Sequence, residues 1–342
     1  MKRRDDGSFG AICVDMGTTN TRVWLVRDCQ VVARLQARAG ARDTARDGQP
    51  ARIRRELRRL IAKLRRAGRS AAEPVCVAAA GMIGSPLGLA EVPHLTAPAG
   101  IEELAAGARL FSFPDICELP FLFVPGVRSG AVGPEIETLW QSDVMRGEET
   151  MCAGLVALGR LHLPATVLNL GSHWKAIRID ASGRVAASTT SLSGEMIHAA
   201  QTATILASAV PPGKPEEVDP EWCEAGMREE RRAGLARALF CVRLLELGGH
   251  ATPPQRLSFL IGAFIAVDLD ALLARGMITA REPVFITGGG AVAAGWQYAL
   301  LRASVPSDIL SVAETEAGLL AGLHHIVSRK IARGDANIRL PA

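Results

Sequence analysis

The sequence predicts an α/β protein built from two copies of one domain with a cleft between them. Three observations carry this. Strand-like and helix-like segments alternate along the 342 residues, the pattern of layers in which helices cover mixed sheets. A three-strand meander opens the chain and a second one opens its later half. The two meanders superpose at a constant offset of 154 residues, which sets Asp15 on Asn169, Gly17 on Gly171 and Thr18 on Ser172. A repeat of this kind decides architecture before any single element does.

In chain order, the first meander is Ala11–Val14, Thr21–Val26 and Val31–Leu35, with turn-type residues between the apolar runs. A helix follows over about Arg52 to Arg66, where Ile53, Leu57, Leu60, Ile61 and Leu64 fall on one stripe at helical spacing. Next come a strand Val75–Ala80, a helix near Ile101–Leu110, a strand Phe121–Val124 and a helix near Glu148–Leu158. The second meander is Thr166–Leu170, Ala176–Ile179 and Arg184–Ser188, its last turn made by Asp180-Ala-Ser-Gly183. Helical patterns then cover about 194–209, 221–247 and 255–275. A strand Val284–Thr287, a helix over about 291–303, a short strand near Ile309–Val312 and a last helix over about 314–330 complete the chain. The expected domains are 1–163 and 164–342, with the last helix able to return to the first.

Composition narrows the function classes. With 48% hydrophobic and 22% charged residues, the chain reads as globular throughout. A net charge of +4 is too small to indicate a nucleic-acid or membrane-surface partner. The basic residues of the 52–66 helix read as its solvated face, which disfavours a non-catalytic, nucleic-acid-binding regulator. Seven scattered cysteines, Cys13, Cys29, Cys76, Cys117, Cys152, Cys223 and Cys241, contain no C-x-x-C pair and read as reduced thiols rather than a zinc site or a disulfide framework. The apolar run after the basic start is too short for a secretory signal. The apolar windows at 257–274 and 309–327 are interrupted by Asp268, Asp270, Glu314 and Glu316. A cytoplasmic protein is expected.

Four segments could carry chemistry. In Asp15-Met-Gly-Thr-Thr-Asn-Thr-Arg22, Gly17 lets the backbone approach an anion, Thr18, Thr19 and Asn20 supply donors for phosphate oxygens, and Asp15 could hold a hydrated Mg²⁺ against them. The second copy, Asn169-Leu-Gly-Ser-His-Trp-Lys175, offers Gly171, Ser172, His173 and Lys175. Gly288, Gly289 and Gly290 follow a strand and open a helix, where a backbone can pass under an adenosine. They also fit G-x-G-x-x-A with Asp308 some 20 residues on, but too little chain remains for a dinucleotide fold. The P-loop pattern is absent, since Gly213-Lys214 is followed by Pro215. Asp143-Val-Met-Arg-Gly-Glu-Glu-Thr150 opens an apolar helix. A carboxylate fixed there suits a general base, and Arg146 could fork onto a substrate carboxylate. Ser193 and Glu195, at the start of the next long helix, read as capping residues.

The segments DMGTTNTR, AAGMIGSPLG, DVMRGEET, LGSHWK and SGEM, in this order, closely resemble the 2-dehydro-3-deoxygalactonokinase family of bacterial sugar-acid kinases, whose fold is similar to that of actin, the heat-shock chaperones and the acetate and sugar kinases. The resemblance implies two duplicated actin-like (ribonuclease H-like) domains and ATP- and Mg²⁺-dependent phosphorylation of the terminal hydroxyl of 2-dehydro-3-deoxy-galactonate. By position it implies that Asp15, Gly17, Thr18 and Thr19 form the first phosphate loop and Gly171, Ser172 and His173 the second. Gly288, Gly289 and Gly290 take the adenosine segment, and Gly81, Met82, Gly84 and Ser85 the sugar-acid side of the cleft. The sequence departs from the family where GTHSKW is expected and GSHWKA stands, with Leu170 in place of a proline, and His94 where a tyrosine is often found.

The mechanism expected is transfer from MgATP with a carboxylate of Glu148 or Glu149 removing the hydroxyl proton. Glu148 is favoured by its spacing to Ala153 and Gly154. Sugar acid and ATP are the expected partners, with no nucleic acid and no membrane, and a homodimer is compatible with the sequence. The alternative within the same fold is a kinase or ATPase acting on another small polyol or acid.

Overall fold

The structure, a computed structural model, describes residues 10–27, 30–67, 74–131, 133 and 135–334. The chain divides into two compact units, Met1–Arg160 with Glu316–Ala342, and Leu161–Thr315.

Unit 1 begins with β1 (Ala11–Met16), β2 (Thr21–Arg27) and β3 (Gln30–Ala37), then α1 (Ala41–Asp47), α2 (Ala51–Ala67) and β4 (Val77–Gly81). It continues through β5 (Leu95–Thr96), α3 (Ile101–Gly107), β6 (Arg109–Phe111), β7 (Phe121–Phe123), β8 (Val127–Ser129), β9 (Asp143–Met145) and α4 (Glu148–Ala157). The main sheet runs β3-β2-β1-β4-β7-β6, and β5-β8-β9 form a small sheet of their own. β1 pairs antiparallel with β2 and parallel with β4. β1 and β4 are buried almost throughout, as parallel strands covered on both faces must be.

The stripe on α2 packs into the core: Ile53, Leu57, Leu60, Ile61 and Leu64 are all buried, each worth roughly 1.5–3 kcal/mol of burial. Several of its arginines are engaged within the molecule. Arg54 binds Asp115, Arg52 binds Asp43, and Arg65 pairs with Glu118.

Unit 2 repeats the plan. It holds β10 (Ala165–Leu170), β11 (Trp174–Ile179), β12 (Val185–Ser191), α5 (Ser193–Ala203), α6 (Pro220–Ala233), α7 (Leu235–Leu247), α8 (Pro253–Ala274), β13 (Val284–Gly288), α9 (Ala291–Arg302) and β14 (Ser307–Ile309). Its sheet runs β12-β11-β10-β13-β14, with β10 antiparallel to β11 and parallel to β13. The order meander, helix, parallel strand is therefore shared by both units, as the duplicated actin-like fold requires. α8 is long and apolar enough to cross a bilayer, but 67% of its most apolar stretch is buried inside the unit, which makes it a core helix.

The last helix, α10 (Val312–Ala332), belongs to unit 1 from Glu316 onward. It crosses α4 at glycines: a Cβ on Gly154 would collide with the Gly318 carbonyl, and one on Gly322 with the Thr150 carbonyl. This crossing fixes the helix whose first turn carries Glu148 and Glu149.

Some elements differ from the sequence expectation. The 221–247 helix is two helices, broken at Gly234, whose φ of +81° no helix interior adopts. The helix expected to reach Leu110 stops at Gly107, and Arg109–Phe111 turns into an edge strand. The pattern over 194–209 is α5 followed by a separate 3-10 turn, Ile205–Ser208. The short strand lies at Ser307–Ile309 rather than 309–312. Cys29 lies outside the described residues; the other six cysteines are free thiols, and five are buried.

Candidate active site

In unit 1, three backbone segments meet at Asp15. The β1–β4 register sets Met16 opposite Gly81. Gly81 has φ +85°, and a Cβ there would stand 2.5 Å from the Met16 carbonyl and 3.3 Å from Asp15 Oδ1. Gly147, with φ +107° just before α4, completes the meeting: its Cβ would stand 3.3 Å from Gly81 Cα and 3.9 Å from Asp15 Oδ1. At Gly81 both conformation and space demand glycine, and at Gly147 the positive φ does.

The Asp15 carboxyl is pushed up to about 6, chiefly by burial; Arg22 opposes the shift and Glu148 adds to it. Arg22 Nη1 stands 3.5 Å from Asp15 Oδ2. A desolvated carboxylate whose neighbouring cation does not restore its ordinary acidity suits a hydrated Mg²⁺, which keeps most of its waters and takes one or two protein carboxylates. Among the described residues no cluster of three or more His, Cys, Asp or Glu side chains could hold a metal by itself.

Glu148 and Glu149 differ sharply. Glu149 is 0% exposed. Its two oxygens accept the Gly147 N–H at 2.9 and 2.8 Å, and Oε1 accepts the Thr150 hydroxyl at 3.0 Å. It caps its own helix, and burial raises its carboxyl to about 7, with Glu148 adding to the shift. Glu148 is half-buried and lies close enough to both Asp15 and Glu149 to act on their acidity.

The first loop is held from behind. Gly17 N–H donates to the Asn20 carbonyl at 2.9 Å; Ala41 and Arg42 N–H groups donate to the carbonyls of Gly17 (3.2 Å) and Thr18 (2.9 Å). In a trans peptide the N–H points opposite to the C=O, so the Thr18 and Thr19 N–H groups face away from α1. Gly40 permits this approach, since its Cβ would stand 2.5 Å from the Gly17 carbonyl and 2.6 Å from that of Thr18.

Unit 2 reproduces the device. Gly194 stands to Gly171 and Ser172 as Gly40 does to Gly17 and Thr18, with distances of 2.5 and 2.6 Å, and Glu195 N–H donates to the Ser172 carbonyl at 2.8 Å. Where unit 1 has Asp15, unit 2 has Asn169, whose Oδ1 accepts the Thr287 hydroxyl at 3.0 Å. Gly288 takes the register position of Gly81, opposite Leu170. Gly288, Gly289 and Gly290 have φ of +73°, +76° and +54° ahead of α9, a run of left-handed glycines whose amides can form an anion-binding nest.

Several sequence expectations change here. Lys175 sits in β11 and is 6% exposed, so it belongs to the sheet rather than to the rim of the loop. Ser193 and Glu195 do not cap α5, whose N-cap is Leu192 without a side-chain bond. Ser193 Oγ lies 3.1 Å from Ser191 Oγ, which donates to Asp268 at 2.6 Å, and Glu195 Oε1 stands 3.6 Å from His173 Nε2. Trp174, the departure from GTHSKW, packs edge-on against Trp296 at 5.5 Å inside the core. The Ser85 hydroxyl donates to the Met82 carbonyl at 2.7 Å and so closes the turn over Met82–Gly84. Gly40, Gly147 and Gly194 were not singled out from the sequence, although Gly40 and Gly194 are separated by the same 154 residues as the loops.

Arg146 is half-buried beside this turn. Its Nη2 donates to the Val92 carbonyl at 2.6 Å. Its Nη1 is buried without a hydrogen-bond acceptor among the described residues, and desolvation lowers its basicity.

The chain is similar to several known proteins. Residues 15–326 match the family model described as 2-keto-3-deoxy-galactonokinase. The 2-dehydro-3-deoxygalactonokinase of Escherichia coli (strain K12) is 25% identical over 334 residues, 95% of this chain and 98% of that protein. A crystallised protein of Sinorhizobium meliloti, provisionally assigned as a 2-dehydro-3-deoxygalactonokinase, shares the fold with a TM-score of 0.74 and 23% identity, covering 97% of this chain and 98% of its own.

Proposed function

This chain belongs to the 2-keto-3-deoxy-galactonokinase family, and from that premise we propose that it transfers the γ-phosphoryl group of ATP to the terminal hydroxyl of 2-dehydro-3-deoxygalactonate in the cytoplasm. The new bond joins the substrate oxygen to phosphorus, the bond to the β-phosphate oxygen breaks, and ADP leaves. The hydroxyl proton passes to a carboxylate.

Glu148 is that carboxylate. The observation that carries this is the contrast on one helical turn: Glu149 spends both oxygens on its own helix start at 0% exposure, whereas Glu148 is half-buried beside Asp15. Asp15 is the residue suited to a hydrated Mg²⁺, which when bound neutralises phosphate charge. The Thr18 and Thr19 amides of the first loop, and the Ser172 and His173 amides of the second, donate to phosphate oxygens. The glycine run 288–290 passes beside the adenosine. Arg146 anchors the substrate carboxylate through Nη1, a buried cationic donor for which an anion is the natural partner.

A coupled assay of ADP release over a panel of sugar acids and polyols, with mass analysis of the product, tests the reading. A 6-phosphate of 2-dehydro-3-deoxygalactonate as the preferred product supports it; preferred turnover of another polyol or acid replaces it with the same-fold alternative. Glu148→Gln, folded and binding ATP, should lose turnover by about 100-fold or more.

A further inference from the structure

Gly84, Val92, His94, Gly126 and Arg146, all in unit 1, form one constellation that the phosphoryl chemistry does not use. Beyond its bond to the Val92 carbonyl, Arg146 Nη2 stands 3.4 Å from His94 Nδ1. A guanidinium carries only donors. Nδ1 must therefore present its lone pair to Arg146, and the ring proton of the neutral imidazole sits on Nε2.

Two glycines make room for this pair. A Cβ on Gly126 would stand 2.6 Å from Arg146 Cγ and 2.7 Å from His94 Cδ2, and one on Gly84 would stand 3.4 Å from Arg146 Nη1. Gly84 and Gly126 thus form a floor without side chains. Above it lie a buried guanidinium nitrogen lacking an acceptor among the described residues and an imidazole whose tautomer that same guanidinium selects. A buried charged donor left without an acceptor is costly, and a site that tolerates one is built for an anion to complete it.

We propose that His94 is a specificity-determining residue: its Nε2–H and Arg146 Nη1 make a two-point clamp on the carboxylate end of the sugar acid. The proposal rests on the reading of Arg146 as the carboxylate anchor. It adds a second donor whose direction Arg146 fixes, so that an acid is favoured over the same sugar without its carboxylate. His94 is half-buried, and its exchange for a smaller amide leaves the core untouched.

The test is steady-state kinetics on His94→Asn, His94→Gln and Arg146→Ala with 2-dehydro-3-deoxygalactonate and ATP, alongside thermal melting. Asparagine can keep an acceptor towards Arg146 but has no donor at the Nε2 position; glutamine can restore that donor. His94→Asn should raise the KM for the sugar acid about tenfold, the scale of one hydrogen bond to a charged group, with the KM for ATP and the melting midpoint unchanged. His94→Gln should recover part of the loss. A wild-type KM for the acid in His94→Asn, with a raised one in Arg146→Ala, overturns the His94 assignment alone. An unchanged KM in Arg146→Ala overturns the anchor reading from which it starts. A parallel rise in the KM for ATP, or a lowered midpoint, in His94→Asn assigns the ring to structure and also overturns the clamp.

Discussion

Glu148 and Glu149 share one helical turn, yet a rotation of about 100° per residue sends Glu149 into the core and leaves Glu148 half-buried beside Asp15. The consequence is a pH signature. The Glu149 carboxyl, ordinarily 4.5, is raised to about 7 in the fold by burial, so the folded chain holds its proton more tightly than the unfolded one. Its contribution to stability is complete below its ordinary value and is lost as pH rises through about 7. Glutamine stays neutral throughout. Urea denaturation of Glu149→Gln and wild type should therefore give similar midpoints at pH 5, with the variant gaining on wild type by pH 8. A gap independent of pH would mean that the buried carboxyl does not change its protonation across that range. At the second loop, the approach of Glu195 Oε1 to within 3.6 Å of His173 Nε2 predicts that Glu195→Gln raises the KM for ATP several-fold and leaves that for the sugar acid unchanged. If both rise together, Glu195 supports the unit as a whole rather than the loop.

At the scale of elements, the glycines that matter are those whose missing Cβ lets two backbones meet. Gly40 has φ −168°, extended backbone that any residue adopts, so its constraint is purely one of space. Gly40→Ala and Gly194→Ala should act alike, each pushing one loop away from the helix behind it. Overpacking of this kind costs about 1–3 kcal/mol; both variants should show it in denaturation and should bind ATP more weakly. Gly154→Ala, at the crossing of α4 and α10, should cost at least as much, because the atoms it meets are α10 backbone at the buried Gly318 and Gly322. The strands of both meanders were legible in the sequence because apolar runs bounded by turn residues report directly on hairpins. The small sheet was not: β5, β8 and β9 are two to three residues each, too short to show a period. The glycine pairs were not legible either, since Gly40 meets Gly17 only once β1, the loop and α1 have been placed together.

For the whole molecule, the duplication was readable from its 154-residue offset, which set Asp15 on Asn169 and the two glycine-containing hairpin loops in register. The return of the last helix to unit 1 depends on Gly318 and Gly322 meeting Gly154 and Thr150, contacts across more than 160 residues of chain that no local pattern carries. Their energetic weight can be bounded. Leu319, Leu320, Leu323, Ile326 and Val327 are all buried, and at roughly 1.5–3 kcal/mol each they contribute on the order of 7–15 kcal/mol, comparable to the whole stability of a domain. A chain ending at Ser311 should therefore lose the fold of unit 1 while unit 2, which owns all its strands and five helices within Leu161–Thr315, retains its own. Hydrogen exchange would show this as lost protection in β1 and α4 with protection kept in β10 and β13. Kinase activity should vanish with unit 1, because the proposed roles of Asp15, Arg146 and Glu148 all lie there, even though the second hairpin loop and the glycine run survive. Protection kept in β1 would mean that the sheet of unit 1 stands without α10, and that the helix serves only to set the position of α4.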